Sequence, residues 1–336
     1  MNNKISFAAV ITTINHPNDG MNSLLNFGIK AKAPIIVIGD TKTPTSWENT
    51  EFDYLSVSKQ IEIYSDFANL IPTRHYARKN LGYLRARSYG ADWIYETDDD
   101  NVPIESPFLE RDLKIEAEMH ESLSRWLNVY EVFGYKSDLE NPPIIWPRGF
   151  DLRSLKLKTS KLGISKVSAP IQQGLANGDP DVDAIYRLVL GNFVEFNPKG
   201  PVALNKSQIC PTNSQTTWWH SSVQQLMYLP STCTFRLTDI LRGFVAWRIL
   251  QELGETVSYH APVVRQDRNE HDLLKDFVDE NELYLHADTL ISDLLDLNLE
   301  GLTKSQQISL CYEAFAERGV VDKSELEIIK GWNSHF

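Results

Sequence analysis

Residues 91–101 read A-D-W-I-Y-E-T-D-D-D-N, an apolar strand that runs straight into three consecutive aspartates. Trp93, Ile94 and Tyr95 suit a strand inside a sheet, whereas crowding Asp98, Asp99 and Asp100 at its end gains no folding energy. Carboxylates that close raise one another's pKa and repel unless a cation lies between them. Their oxygens are hard ligands suited to Mg²⁺ or Mn²⁺, and Mg²⁺ takes one or two carboxylates together with substrate phosphates. In an open α/β sheet, ligands bind beyond the carboxyl ends of the strands. The competing reading is a solvated acidic turn, and the Arg- and Lys-rich stretch just upstream weighs against it.

That stretch, T-R-H-Y-A-R-K-N-L-G-Y-L-R-A-R, is expected to be helical over residues 73–89, which would set Arg74 and Arg78 one turn apart on one face. Guanidinium groups hold phosphate oxygens in a bidentate fashion. Either arginine alone reads as surface filler; beside the aspartates, Arg78 becomes a functional candidate. Asp40, after P-I-I-V-I-G, can accept hydrogen bonds from a base or ribose, or it can close an Asx-turn in its own loop.

Downstream, G-L-A-N-G-D-P-D-V-D-A carries Asp179, Asp181 and Asp183 in a Gly/Pro-rich loop. Such carboxylates suit sugar hydroxyls. A structural turn is the alternative, and a calcium loop lacks its downstream Glu. Asp239 opens the helical pattern T-D-I-L-R-G-F-V-A-W-R. Spacing alone favours an Asp attracted by the helix dipole, and the sharper reading is a general base at a cleft mouth. His271, in R-N-E-H-D, can complete a metal site or be an ordinary surface residue. Trp218-Trp219-His220 either stacks on a sugar or packs a loop.

The elements that must position these groups alternate in the N-terminal third: strands at residues 5–13, 34–38 and 52–57, helices at 21–30, 59–67 and 73–89. This alternation implies an α/β fold with a doubly wound, mostly parallel sheet and flanking helices. Neither G-x-G-x-x-G nor a Walker motif is present. Residues 106–135 are read as polar and partly helical, 144–146 as a strand, and 170–234 as turn-rich. Helices return at 238–252 and 272–286. Two candidate capping boxes, Thr303…Gln306 and Ser324…Glu327, open helical patterns in a C-terminal appendage at residues 288–336, set apart from a main domain at residues 1–287.

The 336 residues carry 33 basic and 45 acidic side chains, a formal charge of −12. An acidic chain of this kind does not suit nucleic acid, which needs a basic footprint, yet a local Arg/Lys cluster or a metal can reverse the field inside one cleft. Three scattered cysteines, Cys210, Cys233 and Cys311, suit reduced thiols in a cytoplasmic setting. No apolar run is long enough to span a membrane, and peripheral membrane association is compatible with the sequence.

In chain order, V-I-G-D-T-K-T-P, Y-A-R-K-N-L-G-Y, I-Y-E-T-D-D-D-N, G-L-A-N-G-D-P-D-V-D-A, T-D-I-L-R-G and R-N-E-H-D-L-L-K-D-F span residues 36 to 277. Together they resemble the STELLO-like glycosyltransferases and, more distantly, are similar to the reversibly glycosylated polypeptide (UDP-arabinopyranose mutase) family. The resemblance implies a GT-A fold whose Asp-x-Asp site binds Mn²⁺ or Mg²⁺ and a nucleoside-diphosphate sugar, with a glycan or other hydroxyl compound as acceptor. It assigns Asp98, Asp100 and His271 to the metal. Thr12, Asp40, Arg78, Asp98, Asp99, Asp181 and Asp183 fall to the donor or its sugar, and Asp239 to the catalytic base. A cytoplasmic, metal-dependent glycosyltransferase, in surface polysaccharide or glycan synthesis, is the leading expectation. A nucleotide-sugar mutase and a non-catalytic nucleotide-sugar-binding scaffold are the alternatives.

Overall fold

A computed structural model describes residues 5–191, 193–267 and 272–336. Its strands are β1 (Phe7–Thr13), β2 (Ile35–Gly39), β3 (Asp53–Leu55), β4 (Trp93–Thr97), β5 (Asn101–Pro103), β6 (Lys114–Ser122), β7 (Thr159–Ser168), β8 (Ile171–Gly178), β9 (Val202–Leu204), β10 (Thr216–His220) and β11 (Val257–Gln266). They form one sheet in the order β3-β2-β1-β4-β10-β8-β11-β9-β6-β7, with β5 paired to β11. The fold is α/β. The first four neighbours, β3-β2-β1-β4, run parallel, as strands alternating with helices must. Beyond them the sheet is mixed: β10 runs antiparallel to both β4 and β8, while β8 and β11 are parallel again.

Period-two alternation gives this sheet two buried faces. Ala8, Val10, Ile36 and Ile38 point into one core, and Ala9, Ile11, Ile35 and Val37 into the other. The helix Asp19–Ala31 covers the second face through Met21 and Leu24. The helices Lys79–Ser88 and Thr238–Leu253 cover the first through Leu81, Leu84, Phe244 and Leu250. Gly82 sits where the helix Lys79–Ser88 crosses β1, and a Cβ there would come within 2.4 Å of Val10 Cγ1. Only glycine allows that approach.

Two expectations are corrected. The helix expected from residue 73 begins at Lys79, after a 3₁₀ turn at Tyr76–Arg78, because Arg74 adopts a left-handed φ of 57°. Arg74 and Arg78 therefore do not share a helix face. The polar and turn-rich regions hold strands β6 and β8–β10, whereas residues 144–146 lie outside the sheet. The boundary at 287/288 falls inside the helix Asn281–Asp296. This helix and the two after it, Lys304–Glu317 and Glu325–Asn333, place Leu290, Phe315 and Trp332 in the same core as Phe67 and Leu241.

Candidate active site

The carboxyl ends of β1, β2, β4 and β11 and the amino end of β10 converge on a cavity of about 550 Å³. Antiparallel pairing of β10 with β4 sets Thr216 opposite Thr97, so Ser214 and Gln215 enter the cavity wall beside the aspartate turn. Gln266 arrives from the end of β11.

The three aspartates of that turn face different partners. Asp98 Oδ1 accepts from Tyr76 Oη at 2.7 Å and from Lys79 Nζ at 3.1 Å. Lys79 is buried and also donates to the Thr97 carbonyl and to Tyr76 Oη, each at 2.7 Å. Burial pushes the Asp98 carboxyl up, and Lys79 and Tyr76 recover only part of that shift. Asp99 Oδ2 accepts from Thr13 Oγ1 and Asn15 Nδ2, at 2.5 and 2.9 Å, which ties the turn to the end of β1. Asp100 Oδ2 accepts from Gln266 Nε2 at 3.1 Å.

Across the cavity a second acidic pair shares one arginine. Arg148 makes a fork to Asp181, Nε to Oδ1 at 2.9 Å and Nη2 to Oδ2 at 2.8 Å, and Nη2 also reaches Asp239 at 2.9 and 3.0 Å. Gly149, at φ 82°, turns the chain directly after it. All three charged groups are buried. Burial by itself pushes the Asp239 carboxyl up, but Arg148 and, more weakly, Arg242 outweigh it, and the net position is below the usual carboxylate range. Ser214 closes the circuit: its N–H and Oγ donate to Asp239 Oδ2 at 3.1 and 3.2 Å, and its Oγ lies 2.6 Å from Tyr76 Oη. Two hydroxyls thus lie side by side between Asp98 and Asp239, each with a single proton to give.

Among the described residues no group of three or more His, Cys, Asp or Glu side chains is disposed to hold a metal ion. Asp98, Asp99 and Asp100 all line the cavity, and a Mg²⁺ site needs only one or two such carboxylates, completed by phosphate oxygens and water.

Comparison with known proteins bears on this geometry. The family model described as STELLO glycosyltransferases matches residues 236–328, from the cavity residue Arg236 through the C-terminal helices. Two curated proteins of Arabidopsis thaliana are similar over most of the chain. "Probable glycosyltransferase STELLO1" is 29% identical over 96% of it, and "Probable glycosyltransferase STELLO2" is 30% identical over 85%. The chain is thus similar to the STELLO glycosyltransferases along most of its length. It spans 43% and 39% of the length of those two relatives. A solved structure described as a mycobacterial protein covers 90% of the chain, and the chain 78% of it, at 10% identity and a TM-score of 0.42.

In this chain Thr12, Asp40, Arg78, Asp98, Asp99, Asp100, Asp181 and Asp239 all line the same cavity. Of the described sequence candidates, one does not join them. Asp183 is the N-cap of the helix Ala184–Val189; it accepts from Tyr186 N and Trp146 Nε1 and does not line the cavity. His271 lies outside the described residues. Arg78 lines the wall but is buried, donating to Gln60 Oε1 at 2.7 Å and to the carbonyl of Ile71 at 3.1 Å. Asp40 does close its own turn, accepting from Thr41 N, and its Oδ2 also accepts from His75 N at 3.1 Å. Trp218 and Trp219 are fully buried in β10, so they pack and do not stack on a ligand.

Sequence reasoning missed Lys79, Arg148, Ser214 and Arg236. Lys79 stood within a quoted motif, Y-A-R-K-N-L-G-Y, without an assigned partner, and Arg148 lies just past the strand expected at residues 144–146. Ser214 carries no local signal, since only the β10–β4 pairing brings it to the aspartates.

Proposed function

We propose that this chain transfers a sugar from a nucleoside-diphosphate donor, UDP-linked in the first instance, to a hydroxyl acceptor. One observation carries the reading. The aspartate turn and the Asp181–Arg148–Asp239 cluster line a single cavity at the strands' carboxyl ends, in a chain similar to two proteins named as glycosyltransferases.

On this reading Asp98 and Asp100 hold Mn²⁺ or Mg²⁺, which when bound offsets the charge that builds on the departing diphosphate. Asp181 orients sugar hydroxyls. Asp239 takes the acceptor proton, although an anion held by Arg148 is a weak base at neutral pH. The acceptor hydroxyl must therefore displace Arg148 from Asp239, leaving the arginine on its fork to Asp181. The free thiols of Cys210, Cys233 and Cys311 support a cytoplasmic setting, and no helix among the described residues is long and apolar enough to cross a membrane.

The test is incubation of the full chain with a panel of nucleotide sugars and simple glycoside acceptors, with Mn²⁺, Mg²⁺ or chelator, read by release of nucleoside diphosphate. Cation-dependent release that rises with one acceptor supports the reading. Isomerisation of a donor without acceptor would mark a mutase, and tight binding without any turnover a scaffold.

A further inference from the structure

One wall of the cavity has cations to spare. On its other walls the cations are engaged: Arg148 by Asp181 and Asp239, Arg236 by Glu280 at 2.6 Å, and Lys79, behind the surface, by Asp98. Around Asp40 the balance reverses. Lys42, Arg74 and Arg78 line this wall, and among the described residues none of the three has a carboxylate in ion-pair distance. Arg78 Nη2 is buried with no hydrogen-bond partner among them.

The backbone here is built to hold this surplus in place. Arg74 sits at φ 57°, a conformation that costs a side chain with a Cβ and that glycine takes freely. The other described non-glycine residue at positive φ, Lys32, is explained as a helix C-cap whose N–H bonds to Gly28 and Ile29 carbonyls. Arg74 caps nothing. Its Nε donates to Thr41 Oγ1 at 3.4 Å, and the next N–H, from His75, bonds Asp40. Lys42 rides a turn closed by Thr43 N to the Asp40 carbonyl at 2.9 Å and pinned to β1 by Thr43 Oγ1 to the Thr13 carbonyl at 2.6 Å. A left-handed non-glycine residue in a cavity wall is a feature that clusters at binding sites.

We infer that Lys42 and Arg74 form a phosphate clamp at the cavity rim, reading the diphosphate of the donor by charge while Arg78 supplies a fixed positive field beneath them. The inference rests on the nucleoside-diphosphate reading above and adds the residues that select for the phosphates. It also explains how a chain of net charge −12 attracts an anion into an aspartate-lined cavity.

Titration calorimetry on the full chain tests it with UDP, inorganic pyrophosphate and uridine, each with and without Mg²⁺, at low and high salt. Arg74→Gly is the informative variant, because glycine relieves the left-handed φ. Its melting temperature should hold or rise while affinity for UDP and pyrophosphate falls about tenfold, the scale of one lost charge-assisted contact. Lys42→Ala should act likewise, Arg74→Lys should recover part of the loss, and the salt dependence of UDP binding should shrink in both deletions. Undiminished UDP and pyrophosphate binding in Arg74→Gly and Lys42→Ala would overturn the clamp and leave the donor reading standing. Equal losses for uridine and UDP would overturn it too, since charge would not be what the pair reads. A wild-type chain that binds neither UDP nor pyrophosphate, with or without the cation, would overturn both.

Discussion

Arg148 serves two buried carboxylates with one guanidinium, and that arrangement sets what its loss must do. Removing the shared partner leaves Asp181 and Asp239 facing each other in a low-dielectric wall, with Arg236 Nη2 still 3.9 Å from Asp181, so Arg148→Met should cost about 3 kcal/mol in urea unfolding. Asp239→Asn leaves the fork to Asp181 intact and should cost clearly less, and adding it to Arg148→Met should recover stability. Additive losses in that double variant would show that the three groups do not act as a unit. Asp183 makes an opposite statement about pH. Burial, with the nearby Glu280 charge acting in the same direction, raises its carboxyl to about 6. A group raised in the folded state stabilises fully below its unfolded value and loses that contribution as pH climbs through the folded one. Between its unfolded value of about 4 and its folded value of about 6, wild-type stability therefore carries a downward component. Asp183→Asn keeps a good capping oxygen and should remove that component. A wild-type-minus-variant difference in unfolding free energy that is flat over this range would refute the assignment. Asp239, lowered in the folded state, acts with the other sign: its contribution is present at neutral pH and disappears as acid titrates it.

Elements were legible where one residue decides them and obscure where partners do. The capping box Thr303…Gln306 forms with both reciprocal bonds, and Thr303→Ala should lower stability by about 1 kcal/mol, read as a shift in the urea midpoint. Ser324…Glu327 looks the same in sequence but forms no cap, because Ser324 is itself helical and its N–H bonds Asp322 Oδ1. The parallel half of the sheet showed in its apolar runs. Strands β8 and β10 did not, since I-Q-Q-G-L-A-N-G and T-T-W-W-H bury polar side chains that periodicity counts against a strand. Gln172 donates to the Asp112 and Ala169 carbonyls, and Gln173 accepts from Asn213 N, contacts that only the fold supplies. The same logic applies to the site: the aspartate turn was visible as a run of like charges, whereas Arg148, Asp181 and Asp239 meet from positions far apart in the chain. At the helix–sheet contact, Gly82→Ala drives a methyl into Val10 and should cost about 1–3 kcal/mol; a neutral result would mean that the helix Lys79–Ser88 can lift off β1.

At the scale of the whole molecule, residues on both sides of position 287 share one core. A cut after residue 287 severs the helix Asn281–Asp296 and strips Leu290, Ile291, Leu294, Tyr312, Phe315 and Trp332 from a core they share with Phe67, Tyr228 and Leu241. At about 1.5–3 kcal/mol for each fully buried side chain, those six rival the entire net stability of about 5–15 kcal/mol expected of a domain. The cut also deletes Glu325, which is fully buried and accepts from the N–H groups of Ser231 and Thr232 and from Tyr228 Oη. That carboxylate fixes the segment leading to Phe235 and Arg236 on the cavity wall, so the C-terminal helices hold part of the site from behind. The matched family segment runs across the same boundary, from residue 236 to 328. A chain of residues 1–287 should therefore lack near-ultraviolet dichroism and a cooperative melt, and the full chain should unfold in one calorimetric transition. Two resolved transitions, with the truncated chain reproducing the upper one, would establish residues 288–336 as a separable unit.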